Sequence, residues 1–298
     1  MALLHLAIGL CVYLLFTHGA EGNIDDFDCV DIYKQPAFQH PLLKNHKIQK
    51  TFSSHENLER SNEDETKEQC PEGMVPILRQ RNESESFHLN TAENFGQHFA
   101  TIETMLDGSI YRGAEAEISI HNLNLRNNQY SKSQMWFENG PPGQLNSIQA
   151  GWAVHPRLYG DSVTRFTIYW TGDGYHKTGC YNTQCPGFVV TSRNPRIGNQ
   201  FWGTSIYGKS SVLFRTQVVQ DGFSGNWGLK IFDEVIDGIS PPMGNGHFPV
   251  ADFKKTAHFR NVVIINSDYK KLLQGDILEL YHIHWRSLFI WRTRWKLW

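Results

Sequence analysis

The chain of 298 residues and 34.3 kDa is long enough for one large domain or two modest ones with a sizeable core. With 28 Lys and Arg against 30 Asp and Glu, its formal charge of -2 excludes a nucleic-acid binder held by its overall field. Aromatic residues make up 13% and there are 25 Gly, a mixture suited to half-buried strands and tight turns. The composition therefore predicts an all-β fold.

Residues 3–16 form a mostly apolar run, followed by small residues at Gly19, Ala20 and Gly22. The run is shorter than the ~20 residues of a membrane span and reads as a signal peptide, residues 1–22. Cys11 would leave with it, so the mature chain keeps four cysteines, Cys29, Cys70, Cys180 and Cys185. An even count fits an oxidising compartment, and secretion to the extracellular space or cell wall is expected. Three pairings are open. The short Cys180–Cys185 spacing suits a small loop, leaving Cys29 for Cys70. A zinc site is the weaker alternative, because no paired C-x-x-C or His cluster accompanies them; no metal and no cofactor is expected. Asn82, in Asn82-Glu83-Ser84, is a potential glycan acceptor.

Residues 23–96 are polar, charged and without sustained apolar period, too poor in apolar groups to bury much alone. From about residue 97 the texture changes to short alternating runs separated by Gly, Asn and Pro, the pattern of antiparallel strands in a sandwich or barrel. Period two predicts strands over 114–120 and 166–171, with further candidates at 133–137, 148–154, 187–191, 212–218, 226–235 and 259–265. Turn signals fall between them at 139–143, 172–174 and 221–222. The signatures of serine hydrolases, zincins and nucleotide-binding loops do not occur. What remains is a set of carboxylates, amides and Trp residues that spacing alone does not assemble into a site.

Three blocks carry a resemblance. Residues 28–38 (DCVDIYKQPAF), continuing through 40–46 and Cys70-Pro71-Glu72-Gly73, resemble the activation peptide of the plant neprosin family. Ala150-Gly151-Trp152, Leu158-Tyr159-Gly160-Asp161, Tyr169-Trp170-Thr171 and Gly179-Cys180-Tyr181-Asn182 resemble the core of the neprosin catalytic domain, and residues 243–249 (MGNGHFP) its downstream block. The resemblance implies a secreted, propeptide-bearing protein with an antiparallel β-sandwich over 97–265. It also implies the activity of a glutamic endopeptidase that cuts proline-containing peptides at acid pH. Its partners would be a proline-rich peptide or protein and its own activation peptide, with no nucleic acid and no membrane. In such an enzyme one carboxyl activates water and a second group stabilises the tetrahedral centre.

This sequence departs from that pattern. Gln149 stands where the first catalytic Glu is expected, directly before the Ala-Gly-Trp block, and Glu234 is the candidate for the second. A stretch that the family carries between its Trp-rich strand and that second segment is missing. A Gln and Glu pair is used by the fungal glutamic peptidases, also β-sandwiches, with Glu as base and Gln as oxyanion donor. Trp152, Tyr159 and Trp170 are the expected substrate-binding residues, and Trp136, Trp202 and Trp227 complete a set of rings able to receive sugars or proline. The bland readings are an amide on a solvated face for Gln149, an acidic turn for Glu234 and core packing for the Trp residues. Residues 266–298 form a divergent tail, read as a mispredicted gene end or a basic aromatic helix at a membrane surface. The alternative to a peptidase is a catalytically degenerate extracellular binder of wall polymers or proline-rich ligands, or a truncated gene product.

Overall fold

The computed structural model describes residues 26–49, 70–79, 99–104, 108–141, 143–176, 178–237, 258–273, 278–280 and 291–296. Among them, fourteen strands run in chain order: β1 (Phe27–Asp31), β2 (Met74–Leu78), β3 (Ala100–Thr104), β4 (Tyr111–Ser119), β5 (Ser131–Asn139), β6 (Asn146–Val154) and β7 (Arg165–Thr171), then β8 (Cys180–Tyr181), β9 (Ser211–Gln220), β10 (Trp227–Asp237), β11 (Phe259–Asn266), β12 (Lys271–Leu273), β13 (Leu278–Leu280) and β14 (Trp291–Lys296). They form a seven-stranded sheet, β13-β3-β14-β5-β6-β7-β8, a five-stranded sheet, β10-β9-β4-β11-β12, and a separate β1-β2 pair. Pairing is antiparallel except at β14, which runs parallel to both β3 and β5.

The two larger sheets face one another because their strands alternate in register. Ala114, Ala116 and Ile118 of β4, Val212, Phe214 and Val218 of β9 and Ile264 of β11 pack with Met135 and Phe137 of β5, Ala150 and Trp152 of β6 and Phe166 and Ile168 of β7 in one buried cluster. Two inward apolar faces meeting in one core make a β-sandwich. Small side chains on β4 opposite Trp152 of β6 let the layers interdigitate, and the Phe166 and Phe214 rings meet edge to face across the core at 5.7 Å.

The predicted strands at 114–120, 133–137, 148–154, 166–171, 212–218, 226–235 and 259–265 all lie within or overlap observed strands. That expected at 187–191 does not form. The backbone of Val190 is taken by the Gln35 side chain, whose Oε1 accepts from Val190 N at 2.7 Å and whose Nε2 donates to Val190 O at 3.0 Å. The tail is not a helix where it is described: residues 291–296 are strand β14. No helix is long and apolar enough to cross a membrane among the described residues. The signal-peptide run, Asn82 and residues 243–249 lie outside the described residues.

Both expected disulfides are present, Cys29–Cys70 with Cα atoms 5.6 Å apart and Cys180–Cys185 at 5.8 Å. The first ties β1 to the segment entering β2. Cys70 in turn exchanges hydrogen bonds with Arg193, its N donating to Arg193 O at 3.0 Å and its O accepting from Arg193 Nε at 2.8 Å. The small N-terminal unit is thus fastened to the sandwich at residues 190 and 193 rather than tethered through its linker alone.

One buried histidine makes the fold sensitive to acid. His121 is 2% exposed, contacts Ser119 Oγ through Nε2 at 3.1 Å, and lies beside the Trp152 indole. Burial, with repulsion from His258 adding to it, pushes its pKa down to about 3. The unfolded chain takes up this proton near the ordinary value of ~6.5 and the folded one does not, so this contribution is intact above ~6.5 and is lost progressively as pH falls toward 3, by ~1.4 kcal/mol per pH unit. Chemical denaturation at pH 7 and pH 5 is expected to show His121→Asn with a shallower acid loss than the parent; an unchanged pH slope would remove His121 as its cause.

Candidate functional site

Alternation along β6 decides where each candidate residue points. Ile148, Ala150 and Trp152 turn into the sandwich, so Gln149, Gly151 and Ala153 belong to the opposite, outer face of the seven-stranded sheet. Gln149 pairs across with Trp136 on β5 and Tyr169 on β7, and Tyr169 pairs with Tyr181 on β8. The result is a row of one amide and three aromatic residues across four strands. The row is roofed rather than open. Tyr175, held at positive φ in the following loop, stacks on Tyr169 with ring centroids 5.5 Å apart and accepts a hydrogen bond from Gln149 Nε2 at 3.3 Å. Gln149 is consequently 2% exposed, and its Oε1 has no hydrogen-bond partner.

Glu234 stands elsewhere. It lies on β10, at the edge of the five-stranded sheet, in register with Phe214 of β9 just beyond a shift in pairing after Ile231. The strands carrying positions 149 and 234 belong to different sheets, and Gln149 faces away from the sheet that holds Glu234.

The expected substrate-binding residues divide. Trp152 is 1% exposed and its Nε1 donates to Ser119 O at 2.7 Å, which makes it a core residue. Tyr159, in the single helical turn Pro156–Tyr159, is enclosed. Its hydroxyl meets Thr167 Oγ1 at 2.7 Å and accepts from Asn182 Nδ2 at 3.0 Å, and burial raises its pKa. Neither ring is available to a ligand. Trp170, half-buried, lines a cavity of about 540 Å3 at the end of the sandwich. Its indole is pressed against Gly187, where an added Cβ would lie 2.5 Å from the ring and φ is +137°, so only glycine fits both the space and the backbone.

The cavity opens where the two sheets separate. Phe137, Ile148 and Ile168 of the seven-stranded sheet face Val218, Trp227 and Leu229 of the other, and the Phe137 and Trp227 ring centroids lie 6.0 Å apart. Asn139, Asn146, Gln220 and Asn226 give its rim polar groups, while Leu43, His46 and Gln49 of the N-terminal unit close part of the mouth. Gln49 Oε1 accepts from Ser224 Oγ at 2.8 Å and from Asn226 Nδ2 at 2.9 Å.

Two profiles cover nearly the whole chain. The neprosin domain matches residues 127–238 and 236–285, and the neprosin activation peptide matches residues 18–122. The chain belongs to the neprosin family. The activation-peptide match extends past the border expected near residue 97 and into β4, and the domain match runs past residue 265 to 285, taking in β12 and β13. The domain match is divided at 236–238, at the end of β10.

A residue the sequence reading passed over also lies on the roofed face. The Lys132 ammonium, almost fully buried, bonds the Tyr181 hydroxyl and sits 4.6, 4.8 and 5.3 Å from the ring centroids of Tyr181, Tyr130 and Tyr169. The signal available was the Tyr130-Ser131-Lys132 alternation, which puts a cation and an aromatic ring on one face of β5. No group of three or more His, Cys, Asp or Glu able to hold a metal occurs among the described residues.

The roof gives Gln149 a test of its own. A carboxyl introduced by Gln149→Glu would be desolvated at this 2% exposed position, which raises its pKa above the ordinary ~4.3. A raised carboxyl pKa adds a penalty absent at low pH that grows as pH rises above ~4.3, so melting temperatures should show this variant close to the parent at pH 4 and below it at pH 7. Equal differences at both values would mean that the position is open to solvent.

Proposed function

We propose that this chain is a secreted, activation-peptide-bearing neprosin-type protein whose sandwich binds proline-containing peptide chains at the inter-sheet cavity and does not hydrolyse them through positions 149 and 234. The separation of Gln149 and Glu234 onto different sheets carries the second half of this reading. General-base hydrolysis needs the base and the oxyanion donor within ~3 Å of the same reacting centre. The cavity supports the first half. Proline-rich segments dock in aromatic-lined grooves, and Trp170 and Trp227 supply rings within a volume of the size that encloses small ligands. Two disulfides and a fastened activation peptide suit an oxidising, extracellular setting.

The domain match across both candidate positions favours a second reading, an acid endopeptidase in which Glu234 activates water and Gln149 steadies the developing oxyanion. Incubation of the full chain with a fluorogenic proline-containing peptide between pH 2.5 and 7 separates the two. No cleavage above buffer is expected, either for the parent or for Gln149→Glu. Cleavage that disappears in Glu234→Gln would replace the binding reading with the catalytic one. Binding of the same peptide, followed by anisotropy, is expected to weaken at least ~5-fold in Trp170→Ala, in line with the loss of one ring contact.

A further inference from the structure

Among the contacts that hold the activation peptide on the sandwich, one pairs a side-chain carboxamide with side chains rather than backbone of the sandwich. Gln49 ends the first described segment of the N-terminal unit at the cavity mouth, and its carboxamide is received by the turn joining β9 to β10, residues 221–226. That turn is held by hydrogen bonds of its own. Asp221 N donates to Asn226 O at 2.8 Å, Gly225 N donates to Asp221 O at 2.8 Å, and Gln220 Nε2 donates to Gly225 O at 3.0 Å. Asp221, 3% exposed, accepts on one carboxylate oxygen from both Ser224 N at 2.8 Å and Ser224 Oγ at 2.7 Å. Ser224 Oγ also accepts from Asn226 N at 3.2 Å. Ser224 and Asn226 are therefore fixed in place by their own turn.

We infer that Ser224 and Asn226, backed by Asp221, form a carboxamide subsite at the mouth of the cavity, selective for a glutamine side chain in the bound chain and filled in the precursor by Gln49. This rests on the binding reading above and names the residue type that site prefers. The selectivity follows from the donor and acceptor count. Ser224 has one hydroxyl proton, claimed by both Asp221 and Gln49. With the Gln49 amide and the Asn226 amide both turned over, the Gln49 NH2 group donates to Ser224 Oγ and Asn226 Oδ1 while Ser224 keeps its proton on Asp221. A carboxamide reaches both groups in either orientation and, turned over, leaves the Ser224 proton to Asp221. A carboxylate serves in only one, competes with Asp221 for the same proton, and brings a second negative charge next to a buried one. An aliphatic side chain leaves the Asn226 amide without its partner.

The test uses the full chain carrying Gln49→Ala, which empties the subsite while leaving the cavity and turn intact. Three labelled peptides are titrated by anisotropy, identical and proline-containing except for a single Gln, Glu or Ala. The Gln peptide is expected to bind ~10-fold more tightly than the Glu peptide and ~3- to 10-fold more tightly than the Ala peptide, the range of one or two net hydrogen bonds. Adding Asn226→Ala should bring all three within about twofold, a loss of discrimination that a mere loosening of the turn, lowering all three alike, would not mimic. If Gln and Glu peptides bind equally to the Gln49→Ala chain, the subsite is overturned and the cavity reading stands. If no peptide binds, both readings fall together.

Discussion

The burial of two apolar sheet faces against one another governs everything else in this molecule. Because side chains alternate strictly along a strand, committing Ala150 and Trp152 of β6 to the core forces Gln149 onto the outer face. The same rule on β9 puts Phe214 inward and leaves Arg215 and Gln217 outside, where both meet Glu115 of β4, Gln217 Nε2 at 2.9 Å. A slip of one residue in any central strand would bury these polar groups without partners and expose the aromatic core, so the register cannot drift to suit chemistry. Function has to be found in what the alternation leaves over: one outer face and the open end between the sheets.

Those two places have different character. The outer face around Gln149 carries polar and aromatic side chains in an orderly cross-strand row, yet Tyr175 and the loop bearing it cover the amide. The open end is apolar inside and polar at its rim, the division expected of a ligand site, and both sheets contribute its walls. The rigidity of its walls has a local cause. Trp170 packs against Gly187 and is anchored through Nε1 to Asn182 O at 3.4 Å, and Asn182 lies in the small loop closed by the Cys180–Cys185 disulfide.

Much of the fold was legible in the sequence because period-two alternation is a local signal and most of these strands are long enough to display it. Positions 166–171, with apolar and polar residues alternating, could hardly be anything else. The segment 187–191 misled for a reason equally physical: Phe188, Val189 and Val190 have strand-like composition, but the backbone of Val190 is satisfied by Gln35, more than 150 residues earlier, and no local pattern announces a side chain arriving from that distance. The candidate site was less legible. Face could be read for Gln149 from its neighbours, but sheet membership could not. Whether two strands lie in one sheet or in opposed sheets depends on pairing partners far apart in sequence, and β10 could be assigned to β9 only once the turn at 221–226 and its register were known. Trp152 and Tyr159 are enclosed, and aromatic composition does not distinguish a ring in a core from a ring on a wall.

The N-terminal unit takes its meaning from the same limitation. Its own strands, β1 and β2, make a two-stranded sheet of the kind that is marginal in isolation, and its disulfide closes a loop without adding a core. It therefore borrows order from the sandwich, with polar contacts at three places: Gln35 on Val190, Cys70 on Arg193, and Gln49 on Ser224 and Asn226. Amide contacts of this kind contribute about 1 kcal/mol each and do not form a core continuous with the partner. Attachment by a few directional hydrogen bonds at the cavity mouth is the arrangement that lets a covering segment specify its position without becoming a permanent part of the wall.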